Sequence, residues 1–390
     1  MNSIEKKIEW DKYIIALSPI FLIFYISNET YAIDYRAFYL AGKSVLNNLN
    51  PYLNHISLSS DFYGPINSEL SKFSGWKYPP LASYIFAPLS TLPYELSKNI
   101  FNLISLLSIS LLTFFIIKKR IFHLNPYSLI IVGISFPLLA IISRGQVEIL
   151  LVCIALISLY FYKKDKIFLS ASLIAIMGFI KVFPLLLALA FIKSFRKKKF
   201  LIYLISSLLI LYFLNLTLCP LEWRQSFIER IFIPWNQIPS GDLKELPSNL
   251  GVISESMMVK TSDARNLFHS HFFVFGFANP LLSNNLFLSG TVGIIGALIC
   301  LFKYTKYSIS LCFFTIMNWI NIVNPISWIM GLFWYAPLFI FSYEKIKPSL
   351  KIIIALPLIL PPFLNISGYL AAIISLFILS FFSKESLSSL

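Results

Sequence analysis

Residues 13–26 read "YIIALSPIFLIFYI" and, after the four residues "SNET", residues 31–42 read "YAIDYRAFYLAG". The first stretch carries no charge and reads as the core of a membrane span, 12–27, since a bilayer needs about 20 predominantly apolar residues, or fewer where a helix is broken or shielded by neighbours. The second stretch sets Asp34 and Arg36 among aromatic residues just where the chain leaves the lipid. An ionisable group at the edge of a span is costly and carries a functional expectation. The competing readings of Asp34 are a helix cap and a solvated loop charge. If 33–48 is helical, Asp34, Phe38 and Ala41 share one face. The acid then tops an apolar stripe, as on an amphipathic helix lying in the membrane interface.

The rest of the chain agrees with a membrane setting. Its 390 residues are 57% hydrophobic and only 13% charged, against about a quarter charged in a soluble domain. Mean hydropathy is +0.75. Further apolar runs fall at 95–117, 126–143, 147–162, 167–181, 182–195, 200–219, 281–302, 308–323, 325–343, 351–366 and 369–383. The expected fold is an all-α polytopic bundle of about 11–13 transmembrane helices, one integral membrane domain over 1–390. The runs 167–181 and 182–195 are either two elements or one long kinked helix. The segment "YPPLASYIFAPLSTLP" (78–93) is bracketed by prolines and too short to cross, so it reads as interfacial or re-entrant.

Lysine and arginine set the orientation. They cluster at 6–12, 118–120, 163–166, 193–199, 303–306, 345–351 and 384, and the span list puts every cluster on one side. With that side's acids (Glu5, Glu9, Asp11, Asp165, Glu344 and Glu385) subtracted, the side carries the whole formal charge of +14. Basic residues in short juxtamembrane loops mark the cytoplasmic side, so the charge is accounted for with no nucleic-acid partner. Both termini are then cytoplasmic, and the first run reads as a retained anchor rather than a signal peptide. Two outer loops remain, 28–94 and 220–280. In the second, "EWRQSFIERIF" reads as an amphipathic surface helix, with Trp223 and Trp235 suited to the interface.

Several chemistries have no signature here. Cys153, Cys219, Cys300 and Cys312 lie in or at the edge of apolar runs without a CxxC pair, and read as small buried hydrophobes. His269 and His271 are two apart, which suits no helical zinc pair, and no phosphate-cradling glycine motif occurs. Asp242 and Glu245 read as solvated loop charge. No metal or other cofactor is expected, since a divalent site wants clustered carboxylates. The ionisable and polar residues that fall at the outer face are Asp34, Arg36, Lys43, Asp61, Lys72 and Lys77, then Ser143, Arg144, Gln146 and Glu148, then Lys181, and finally Asn324, Ser327 and Trp328. For Arg144 and Lys181 the plain alternative is snorkelling to the headgroups.

Five blocks, taken in order, resemble glycosyltransferase family 87. They are "DYRAFYLAGKSVLNNLNPY" (34–52), "YPPLASYIFAPLSTLP" (78–93), the stretch from "RGQVEILL" at 144 to "KVFPLLL" at 181–187, "PSNLG" (247–251) and "NPISW" (324–328). The chain departs from the family pattern after Trp328, where Ile329, Met330 and Gly331 stand in place of one or two histidines, and in "PSNLG", which lacks a glutamine.

The resemblance implies a GT-C-type fold and an inverting transfer of a hexose or pentose, mannose-like, from a polyprenyl-phosphate donor to a glycan or glycolipid at the outer membrane face. A lipid-linked donor arrives sideways from the bilayer and a polar acceptor arrives from outside, which suits a site at the boundary. Inversion with a phosphate leaving group needs one base and no second acid, unlike glycoside hydrolysis. Asp34 is then the catalytic base. Arg144, Lys181 and, third, Arg36 are the cations for the donor phosphate, and Tyr39, Tyr78, Gln146, Asn324 and Trp328 are substrate contacts. The rival readings are a surface-polysaccharide polymerase or ligase and a lipid-linked sugar transporter or flippase.

Overall fold

Inside a bilayer the backbone has no water to bond to, so an apolar segment must satisfy its own N–H and C=O groups, and a helix is the way to do that within one segment. The computed structural model describes residues 32–53, 55, 58, 66–67, 72–73, 76–119, 125–193, 196–232, 286–324, 327–361 and 364–387. The first apolar run, Asp61, Trp235, Asp242, Glu245, His269, His271 and "PSNLG" lie outside them.

The described elements are nearly all helical. Helix α1 is Ile33–Leu46. A two-residue antiparallel pairing, β1 Ile66–Asn67 with β2 Lys72–Phe73, follows. A 3-10 stretch, Pro80–Ile85, leads into α2, Ala87–Ser90. Then come α3 Tyr94–Lys119, α4 Pro126–Gly133, α5 Phe136–Arg144, α6 Glu148–Lys163 and α7 Ile167–Ile180. After a 3-10 stretch, Phe183–Ala188, lie α8 Leu189–Ile192, α9 Lys197–Leu218 and α10 Leu221–Phe232. The C-terminal part holds α11 Leu286–Tyr304, α12 Ile309–Val323, a 3-10 stretch Ile329–Tyr335, α13 Ala336–Tyr343, α14 Lys351–Ile359, α15 Ser367–Phe381 and α16 Lys384–Leu387.

The chain is an all-α polytopic membrane protein. Among the described residues three helices are long and apolar enough to cross a membrane, in α3, α9 and α11, and the bent pair α4–α5 makes a fourth. Six shorter apolar helices of 10–17 residues fill the bundle between them. The 44° bend between α4 and α5 has a local cause. Ser135 caps α5 by accepting from the Leu138 N–H, and Pro137 sits in the first turn, where its missing donor costs nothing. The pair 167–181 and 182–195 forms two elements. Lys181 leaves α7 in extended conformation, and the following 3-10 stretch folds back so tightly that Leu185 packs on Gly178.

Hydropathy alone does not separate inner from outer helices. Helix α12 is buried from Ser310 to Ile322, enclosed by α11, α15, α8 and the 3-10 stretch 183–188. Helix α9 is equally apolar, yet only Phe200, Leu204 and Ser207 are buried, and most of its other apolar side chains are exposed.

The bundle has two unlike ends. At one, the basic turns meet: Arg196 bonds Asp165 at 2.9 Å, Asn125 donates to Glu344, and Ile346 pairs with Phe382. At the other, α1, the 78–90 segment, the α5–α6 turn, the end of α7 and the start of the 329–335 stretch converge. Helix α6 runs from the second end, at Glu148, to the first, at Lys163, and α7 runs back to Lys181.

Candidate active site

The site is built on the tight turn Arg144–Gly145–Gln146. Gly145 closes α5 in the left-handed region (φ 69°), and the N–H groups of Gly145 and Gln146 bond back to the Ile141 carbonyl, as in a Schellman-type cap. A side chain at Gly145 has no room, since a Cβ there would lie 2.5 Å from Tyr35 Cβ and 3.1 Å from Ala32. That close approach lays the first turn of α1 on the end of α5. Tyr35 is pinned in place by a hydrogen bond to Ser97 and by stacking on Phe101, with ring centroids 4.7 Å apart. Asp34, the neighbour of Tyr35, is thereby held against Arg144.

The contact is bidentate. Arg144 Nε donates to Asp34 Oδ2 and Nη2 donates to Oδ1 at 3.0 Å, the two-pronged geometry that gives guanidinium–carboxylate pairs their strength. The side chains are 11% and 19% exposed, so the pair is shielded but reachable. Gln146 also donates to Asp34, and Lys77 adds a positive field. Asp34 lies in the first turn of α1, outside the spanning helices. Burial pushes its carboxyl up, but Arg144, with Gln146 and Lys77, holds it below the ordinary value of 3.8. It is neither helix cap nor loop charge: Ala32 stands at the N-cap position, and Asp34 is spent on Arg144.

A second ion pair lies beside the first. Lys181 Nζ donates to Glu148 Oε1. The Lys181 ammonium also sits 5.5 Å from the centroid of the Tyr78 ring. Tyr78 feels the charge of both pairs: burial raises its hydroxyl to about 12, with Lys181 opposing and Glu148 and Asp34 adding to the rise. The Arg144 guanidinium lies 5.1 Å from the centroid of Trp328, a cation–π distance. The two pairs cancel, and Lys77 adds its positive field beside Asp34.

Six of the nine residues expected from sequence therefore come together: Asp34, Arg144, Lys181, Tyr78, Gln146 and Trp328. Arg36 and Tyr39 have other partners. Arg36 is buried between the rings of Tyr39 and Tyr94, 5.3 and 4.6 Å from their centroids. Tyr39 donates to the Leu92 carbonyl at 2.9 Å. Both brace α1 against α3. Asn324 ends α12, where its N–H bonds the Ile320 carbonyl. Trp223, expected at the interface, is packed inside. Glu148 and Lys77 carried no expected role. The signal for Glu148 was present: an acid at the start of one span and a lysine at the end of the next antiparallel span fall at the same end.

Helix α1 is buried more fully than an interfacial helix requires. Phe38 stacks on Phe86 at 4.7 Å, and Gly42 passes so close to the Phe86 backbone that a Cβ would meet it at 2.7 Å. The floor under Asp34 is thus aromatic and rigid. Below the cluster, among α3, α4, α5, α6 and α13, lies an apolar cavity of about 90 Å³. Its walls include Leu138, Val152 and Phe333, which share α5, α6 and the 329–335 stretch with the cluster. At 1.5 Å per residue these positions lie about 6–9 Å along the helices from Glu148 and Arg144.

The family model for glycosyltransferase family 87 matches residues 76–302. The chain belongs to glycosyltransferase family 87. The matched span covers Tyr78, Arg144, Gln146, Glu148 and Lys181 of this glycosyltransferase, while Asp34 and Trp328 flank it. No curated protein and no solved structure matches the chain.

Proposed function

We propose that this glycosyltransferase moves a mannose-like hexose or a pentose, with inversion, from a polyprenyl-phosphate donor to a glycan or glycolipid at the outer face of the cytoplasmic membrane. The observation that carries the reading is the bidentate Asp34–Arg144 pair, half-shielded at the end of the bundle away from the basic turns. A base and a phosphate-binding cation already in contact are what an in-line displacement at a lipid phosphosugar needs.

The chemistry follows from the charges. The donor is a phosphodiester with one negative charge, and it enters a cluster of two ion pairs with the Lys77 charge nearby. Its phosphate draws Arg144 away from Asp34 and meets Lys181, whose three N–H donors let it keep Glu148 as well. Asp34 then loses the guanidinium that held its proton affinity down, while its burial remains, so it becomes the stronger base at the moment the donor is seated. The acceptor hydroxyl attacks the anomeric carbon, its proton passes to Asp34, and the bond from that carbon to the phosphate oxygen breaks. The extra negative charge on the departing polyprenyl phosphate is met by Arg144 and Lys181, preorganised and away from bulk water.

Transfer of radiolabelled sugar from polyprenyl-phosphate donors by the purified protein tests the reading. The expected outcome is glycolipid product from the wild type and none above background from Asp34→Asn at equal protein. A polysaccharide polymerase or ligase working through its second outer loop would keep its activity in that variant. A carrier would move donor and form no product.

A further inference from the structure

We propose that Glu148 reads the donor sugar itself, accepting a hydrogen bond from the hydroxyl next to the anomeric carbon. The inference rests on the donor reading above. Glu148 is 5% exposed, and its two oxygens have different lots: Oε1 takes the Lys181 ammonium, while Oε2 is buried with no hydrogen-bond partner. Two residues back, Gln146 is 7% exposed, and its Oε1 is buried without a partner as well.

A buried acceptor left unmade costs about 1–3 kcal/mol, more when charged, so an orphaned carboxylate oxygen calls for a donor that arrives from outside. Asn318 also carries orphaned atoms, but it lies inside α12, whereas Glu148 and Gln146 border the ion pairs. Both open atoms are acceptors, and the ligand groups that satisfy acceptors on a sugar are hydroxyls.

Position selects the hydroxyl. Oε2 belongs to the carboxylate whose other oxygen holds Lys181, and Lys181 is the cation for the phosphate. A hydroxyl on Oε2 is therefore the one closest to the phosphate along the sugar, on the carbon next to the anomeric centre. The placement also favours the transition state. As the anomeric carbon gains positive charge, that hydroxyl becomes a better donor and the carboxylate beside it a better stabiliser, the gain known for 2-hydroxyl contacts in glycosidases. Glu148 would accordingly select donors with a free hydroxyl at this position.

The test pairs each of polyprenyl-phosphate mannose, glucose and arabinofuranose with its 2-deoxy counterpart, using wild type and Glu148→Gln. The wild type should lose about 10²-fold in kcat/KM on removing the hydroxyl, although 2-deoxy donors are intrinsically the more labile. Glu148→Gln should lose a similar factor on the parent donor and show no further penalty on the 2-deoxy one. If the variant is too slow to assay, the same ratio is read from donor dissociation constants. A wild type indifferent to the 2-hydroxyl, or an equal penalty in both proteins, overturns the role of Glu148 while leaving the donor reading intact. No transfer by the wild type from any donor overturns both.

Discussion

The two ends of this bundle hold their charged side chains in unlike settings. At the basic end, Arg196 bonds Asp165 with the acid 69% exposed, and lysines 163, 164, 197, 198 and 199 are in or near water. At the other end, Asp34 and Arg144, and Lys181 and Glu148, are paired and largely screened. A charge in solvent costs the fold little and orients the chain in its membrane. A charge removed from water costs several kcal/mol unless it is paired, and a pair kept at that cost marks chemistry. The difference in solvation separates the end whose charges are expected to orient the protein from the end we propose reacts.

That comparison can be broken by mutation. Asp34→Asn should lower transfer about 10²–10⁴-fold with unchanged expression, the range for removal of a general base. Arg144→Ala should cost about 10²–10³-fold, as for loss of one preorganised donor to a developing anion. The same variant carries a pH signature. In the wild type the acid limb of kcat/KM from Asp34 lies below pH 3.8, because Arg144 depresses the carboxyl; without Arg144, burial is opposed only by Gln146 and Lys77 and the limb moves up. The stability that the pair supplies is present above the unfolded carboxylate value and is lost as pH falls through the depressed one.

The second pair sharpens the comparison through stability. Glu148→Leu alone should destabilise the protein by about 3–5 kcal/mol, because it strands the Lys181 charge, whereas Glu148→Leu with Lys181→Met should restore much of that stability and still fail to transfer sugar. Thermal unfolding in detergent, run beside the transfer assay, separates the two effects. The smallest change is expected at the basic end. Asp165→Asn should alter stability and transfer little, since an exposed pair contributes about 0–1 kcal/mol.

The fold was largely legible because the bilayer enforces one rule on every apolar run. The expected starts and ends of α3, α6, α7 and α12 fall within a few residues of those observed. The limits of hydropathy are equally physical. It does not distinguish α12, buried on all sides, from α9, most of whose apolar side chains are exposed, because lipid and protein interior are equally apolar. The site was legible where charge and turn chemistry coincide, as in "RGQ", whose glycine must adopt a left-handed backbone and admits the close approach of Tyr35. Arg36 was misleading for a helical reason. Two residues from Asp34 on α1, it points away from the acid, and its charge lies among Tyr39 and Tyr94. Glu148 is found only by matching charges across antiparallel neighbours, a step that needs the direction of each span.

The central claim is that the shielded end performs transfer with Asp34 as its base. Its most direct measurement is single-turnover transfer from a polyprenyl-phosphate sugar by purified Asp34→Asn, beside an Asp165→Asn control at the opposite end. The account predicts a fall of at least about 10²-fold in the first and a near-normal rate in the second. Near-normal turnover in Asp34→Asn, or equal losses at both ends, would contradict it.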